Sequence, residues 1–421
     1  MRADTVVTGM GVVAPTGLGH AEHWAGTLRG ASAIGPVTRF DAGRYPSRLA
    51  GEVASFVPED HLPSRLLPQT DHMTRMALVA SDWALADAGV DPGRLPEYGV
   101  GVVTAASAGG FEFGHRELQN LWRHGPQHVS AYQSFAWFYA VNTGQISIRH
   151  GLRGPAGALV TDQAGGLDAL GQARRQLRRG QPMVLAGAVD GSPCPWGWVA
   201  HVSTGRMSEE PDPARAYRPF DTEAGGYVPG EGGALLVLES EEAARARGAA
   251  RRYGRLAGYA ATFDPPPGSG RPPNLLRAAR AALDDADLRP GEVDVVFADA
   301  AGTPEEDAIE AEALRTLFGP RGVPVTAPKT MTGRLSAGGP ALDVATALLA
   351  LREGVIPPTV NIARPLPEHT LDLVTAPRRT PLATALILAR GHGGFNSALV
   401  VTGPRRPGRA TTPQRQESKP S

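Results

Sequence analysis

Short apolar runs that end in glycine recur along this chain, with helical segments between them, and the series is made twice. "TVVTGMGVVAPTG" (Thr5–Gly17) is a β-branched run delivered into a glycine loop. "GVGVVTA", "PMVLAGAVDG" and "GGALLVLES" are unbroken apolar strands. Strands without polar alternation belong in a sheet covered on both faces. Between them, "MTRMALVASDWALADAGV" puts Met76, Val79, Ala80, Trp83 and Ala84 on one helical face. After the helical "EEAARARGAA" the chain restarts. "RRYGRLAGYAAT" leads into the Pro/Gly-rich loop "FDPPPGSGRPPN", then the helix "LLRAARAALDDADL", the strand "VDVVFADA", the helix "PALDVATALLALREG" and the late strand "ATALILA". This alternation predicts an α/β protein of two similar halves. The halves are placed at residues 1–254 and 255–403, and residues 404–421 lack an apolar period and are expected to be disordered.

Composition narrows the function. Forty-two Lys+Arg balance 42 Asp+Glu, so the basic excess of a nucleic-acid binder is missing. The single cysteine, Cys194, permits no internal disulfide and is expected to be a small packed residue. No apolar run is long enough to span a bilayer, and Met1-Arg-Ala-Asp enters a strand without a leader pattern. A cytoplasmic protein is expected. Metal-ligand spacing and a phosphate-cradling GxxxxGK are both missing.

"ALVTDQAGGLDAL" (Ala158–Leu170) is built like the approach to a nucleophile. An apolar strand stops at Thr161 and Asp162, small residues follow, and an amphipathic helix begins. That arrangement presents a side chain over a helix N-terminus. The residue at the apex is Gln163, whose amide cannot attack a carbonyl.

Six stretches carry a resemblance to a known family: "VVTGMGVVAPTG", "NTGQISIRHGLRGP", "RPFDTEAGGYVPGEGGALLVLE", "AGTPEEDAIEAEAL", "VPVTAPKTMTG" and "GHGGFNSALVV". Together they resemble the β-ketoacyl synthases of the thiolase superfamily, from Thr5 to about Gly403. The resemblance implies a five-layered αβαβα fold of two similar halves and pairing through an edge strand. It also implies a Cys that takes the acyl chain and two His that hydrogen-bond a developing enolate oxygen. This chain departs from all three: Gln163 stands at the Cys, Asp299 of "FADAAGTP" at the first His, and Arg334 of "KTMTGRLSAGG" at the second. His392 stands at the Phe that gates the cavity, and is read as structural. A carboxylate repels an enolate, and a guanidinium is no general base. The chain is therefore similar to the chain length factors of type II polyketide synthases, the ketosynthase β subunits, in which the chemistry sits on a ketosynthase α partner.

Further expectations follow from the resemblance. Gln163 is either an inert, hydrogen-bonded plug or a residue that decarboxylates malonyl-carrier protein to supply the acetyl primer. Asp299 and Arg334 should meet and fill the dead site, since a buried Asp without a cation is costly. Lys329, the one Lys of the folded body, should pair with the acids Asp307 and Glu310 and hold the site loops together. Phe111, Gly114 and Leu118 share a helix face, with Trp196 nearby, and should line the tunnel of the growing poly-β-keto chain. Gly114 and Leu118 are modest in size, so room past Phe111 and a decaketide-like length are expected. Tyr132, Phe135, Trp137, Phe138 and Tyr139 crowd into eight positions and are expected to face the α subunit. The acyl carrier protein should dock on Arg patches and bring its own phosphopantetheine arm, so the chain should need no cofactor.

Overall fold

The computed structural model describes residues 4–266 and 268–404. The C-terminal tail expected to be disordered lies, from residue 405 onward, outside the described residues.

The restart seen in the sequence is a repeated topology. In the first half Thr5–Ala14 pairs with Gly232–Ser240, which pairs with Met183–Asp190, then Val100–Ala105, then Ala156–Leu159. The first two pairings are antiparallel and the last two parallel. In the second half Gly254–Phe263 pairs with Phe395–Thr402, then Thr384–Gly391, Val295–Phe297 and Pro324–Thr326, in the same order of directions. Each half thus sets its first strand beside its fifth, then its fourth, second and third. The two sheets join where Val6 and Val7 pair with Arg255 and Gly254.

Helices fill the layers that the apolar strands require. Gly165–Arg178 and Gly338–Glu353 pack against each other and against both sheets. Every residue from Gly338 to Leu351 is buried. A helix that is apolar on all sides has no solvent face, so it fits only a central layer. His72–Asp87 covers the outer face of the first sheet and Leu275–Ala286 that of the second. The result is the expected αβαβα stack. Gly166 lets the two central helices touch, since a Cβ there would lie 2.5 Å from the Ala337 carbonyl oxygen. The edge strand Ala156–Leu159 hydrogen-bonds on one side only among the described residues, and Ala156 is exposed.

Three parallel strands end at Leu159, Phe297 and Thr326, and their following loops converge. Ligand sites of open α/β sheets lie at such carboxyl ends. Asp162, Ala300 and Ser336, on these loops, all have positive φ, at 49°, 51° and 51°. Non-glycine residues in that region are strained by about 1–3 kcal/mol each. The surrounding packing holds these turns.

Candidate functional site

The converging loops enclose a cavity of about 300 Å³, with Phe111, Gln163, His201, Asp299, Arg334 and His392 in its wall. Gln163 sits in the single 3-10 turn Asp162–Ala164 that leads into the Gly165–Arg178 helix. It is 9% exposed, and its amide has no hydrogen bond to protein among the described residues. Of the two roles expected at Gln163, the plug would need a hydrogen bond that no protein group among the described residues supplies, while the side chain lines the cavity. The Asp162 carboxylate next to it accepts the His392 backbone N–H at 2.7 Å. The His392 side chain itself is exposed.

Asp299 and Arg334 are brought together. One guanidinium nitrogen lies 3.1 Å from Asp299 Oδ1 and the other 3.2 Å from Oδ2. The same fork donates to the carbonyls of Asp299 at 2.8 Å, Ala300 at 3.2 Å and Arg390 at 3.3 Å. Asp299 Oδ1 also accepts the Arg390 N–H at 2.9 Å. The pair is 3% and 6% exposed. Burial drives the Asp299 carboxyl upward, but Arg334 and then Lys329 outweigh it and hold it below the usual carboxylate range. Arg334 is held well above its ordinary value by Asp299, against the effect of burial. Bidentate pairing of this kind is strong and directional. It leaves the Asp299 carboxylate and the Arg334 guanidinium engaged with each other and with backbone.

Lys329 does not pair with Asp307 or Glu310, which corrects the expectation. Its ammonium lies 2.8 Å from Asp343 Oδ2 and also donates to the Ala298 carbonyl. The two acids are occupied by backbone instead. Glu310 accepts the N–H groups of Asp299 and Ala300, at 2.7 and 2.8 Å. Asp307 accepts those of Phe220 and Gly302, both at 2.9 Å. These carboxylates clamp the turn that carries Asp299, and Lys329 ties that turn to the central helix. Asp343 lies outside the six stretches that carry the family resemblance. Its signal is a carboxylate in the apolar run "PALDVATALLAL", which needs a cation once buried. Arg390, Asp190 and His201 were also missed. Asp190 accepts the N–H groups of Ser107 and Ala337 at 2.7 and 3.1 Å, and His201 Nδ1 meets the Tyr227 hydroxyl at 3.0 Å.

Burial pushes the carboxyls of Asp307 and Glu310 up to about 7 and that of Asp190 up to about 6. The folded chain thus keeps protons that the unfolded chain has released. Between about pH 4 and pH 7 these three groups' contribution to stability falls as pH rises. Urea midpoints should drop from about pH 5 to about pH 8, and Asp307→Asn should show a shallower drop. Equal slopes in the two proteins would remove Asp307 from this account.

The one thiol of the chain is not in the cavity wall. Cys194 is buried outside it, with its thiol pushed up to about 11 chiefly by burial, and its Sγ accepts the Gly197 N–H. Burial lowers His201 from its ordinary value, which favours the neutral ring. Gln163, Asp299 and Arg334 meet in the wall of one cavity, and none of the three carries a thiol or an imidazole.

The Phe111–His124 helix borders the cavity through Phe111. Phe111 stacks on Trp196, with centroids 4.6 Å apart and planes at 8°. The open room expected beside Gly114 is not there: a Cβ at Gly114 would lie 2.6 Å from Trp137 Cδ1 and 3.0 Å from Trp196 Cζ3. Indoles from other segments occupy that space. Leu118 is exposed. Tyr132, Phe135, Trp137, Phe138 and Tyr139 are each 39–44% exposed and form one aromatic stretch.

Family models match most of the chain: the N-terminal domain of β-ketoacyl synthase over residues 3–244 and the C-terminal domain over residues 253–363. The chain belongs to the β-ketoacyl synthase family. It is 61% identical to the actinorhodin polyketide putative beta-ketoacyl synthase 2 of Streptomyces coelicolor, covering 94% of this chain and 98% of that protein. It is also 61% identical to the tetracenomycin polyketide synthase ketoacyl synthase beta subunit of Streptomyces glaucescens, covering 95% and 98%. Among solved structures it is similar to the ishigamide ketosynthase/chain length factor, with a TM-score of 0.87 and 28% identity over 96% of this chain and 100% of that one. A type II polyketide synthase acyl-carrier protein in complex with its ketosynthase bound to the hexaketide aligns with a TM-score of 0.84 at 28% identity, over 96% and 100%. No helix among the described residues is long and apolar enough to cross a membrane.

Proposed function

We propose that this chain is the non-condensing β subunit, or chain length factor, of a type II polyketide synthase. It pairs with a ketosynthase α subunit, which supplies the Cys and His residues, and forms part of the tunnel in which the poly-β-keto chain grows from malonyl-acyl carrier protein. One observation carries the reading: the bidentate Asp299–Arg334 pair fills the site where an enolate would need donors, beside a Gln163 that cannot be acylated. Its high identity to named polyketide ketosynthase β subunits supports the same role. The exposed aromatic stretch and the open edge strand are the surfaces for the α subunit. The carrier protein brings the phosphopantetheine arm, so the chain needs no cofactor of its own. The reading places it in the cytoplasm, without nucleic-acid or membrane partners.

A second reading has one observation in its favour. The Gln163 amide faces the cavity without a protein hydrogen bond, free to bind the carbonyl of a malonyl thioester as carbon dioxide leaves. Against it, Asp299 and Arg334 stand where the family's two His would act. Intact mass of malonyl-carrier protein separates the two readings. With this chain alone the malonyl mass should persist, and adding the α subunit should start chain extension. Loss of carbon dioxide with this chain alone, abolished by Gln163→Ala, would make the chain a primer-supplying decarboxylase instead.

A further inference from the structure

The recess at Gly114 is filled from outside its own helix. Trp137 and Trp196 both press on it, at 2.6 and 3.0 Å from the position of a Cβ. The Phe111, Trp196 and Trp137 rings are nearly parallel, Phe111 at 4.6 Å and 8° from Trp196 and Trp137 at 6.4 Å and 12°. Trp137 is also fixed through its backbone. Its carbonyl accepts the Gly110 N–H at 3.1 Å, in the turn that starts the Phe111–His124 helix. Gly109, with φ 98°, packs there so closely that a Cβ would lie 2.5 Å from the Trp137 carbonyl oxygen. The indole is thus tied to the start of the helix and inserted against its third residue after Phe111. Trp137 supplies two of the three atoms nearest to a Cβ at Gly114, Cδ1 at 2.6 Å and Cγ at 3.3 Å.

We propose that Trp137 is a specificity-determining residue for product length. Its indole supplies the bulk that Gly114 lacks and backs Trp196, which in turn holds the Phe111 ring in the cavity wall. This rests on the tunnel reading above. Cutting the indole back opens a void beside a residue with no side chain to refill it. Trp137 is 40% exposed in the chain alone, so the void is enclosed, and persists, once the α subunit covers this stretch. Phe111 and Trp196 can then swing toward the void, and the cavity lengthens on that side.

The test uses the heterodimer with a ketosynthase α subunit, fed malonyl-carrier protein, with products measured by mass spectrometry. Trp137→Ala should shift products longer by at least one extension unit, and Trp137→Phe should give a mixture. Adding Gly114→Leu to Trp137→Ala refills the recess and should restore the original length. A merely structural role for Trp137 would lower yield without moving length. Unchanged length in a heterodimer carrying Trp137→Ala overturns the proposal. Failure of both Trp137→Ala and Trp137→Phe to pair with the α subunit also overturns it, since Trp137 would then act as a partner contact. Phe111→Ala is the reference: length that moves with Phe111 but not with Trp137 sinks this inference alone. Length that moves with neither sinks the tunnel reading as well.

Discussion

Asp299→Ala is expected to destabilise the chain by about 3–5 kcal/mol, the cost of leaving one partner of a buried ion pair uncompensated. Arg334 cannot escape by losing its proton. It is 6% exposed, and its remaining acceptors are the carbonyls of Asp299, Ala300 and Arg390. Those carbonyls bring the cost toward the lower end of the range, since they satisfy hydrogen bonds but not the charge. The Arg390 N–H loses its acceptor as well. Urea unfolding of wild type and variant, at matched pH, gives the difference directly. Adding Arg334→Leu to Asp299→Ala should recover much of the loss, because the orphaned charge goes with it. A single variant as stable as wild type would mean that water reaches this pair and that it does not plug the site.

Phe138→Asp should leave the isolated chain folded and weaken pairing with the α subunit by about 2–4 kcal/mol, or ~30- to 1,000-fold in Kd. Phe138 is 44% exposed, so a carboxylate there stays in water while the chain is alone. Once a partner covers the stretch, the carboxylate must be desolvated without a cation. Its ring also packs on Tyr139 at 4.2 Å, so the substitution removes a contact from the neighbouring aromatic. Sedimentation of mixed subunits measures the affinity, and circular dichroism of the variant alone checks its fold. Unchanged affinity would move the interface away from this stretch and leave the Ala156–Leu159 edge strand as the main contact.

Much of this protein was written in its residue order. The unbroken apolar runs, made twice, require buried strands and two similar halves, because runs without polar alternation cannot lie on a wetted sheet. "TDQAGGLDAL" carries the loss of the nucleophile on its face, since an amide at the apex has no attacking pair to offer. "FADAAGTP" and "KTMTGRLSAGG" likewise bring opposite charges to the two remaining positions. These properties follow from residue type and local period, which need no knowledge of distant neighbours.

Tertiary structure decided which groups meet when several choices were open. Lys329 took Asp343, while the N–H groups of the Asp299–Gly302 turn and of Phe220 claimed Asp307 and Glu310. Gly114 read as open space, but packing brought two indoles from separate segments against it. Sequence order states what a residue offers to its surroundings; a bare position in a helix is room or contact only once distant segments have been folded onto it.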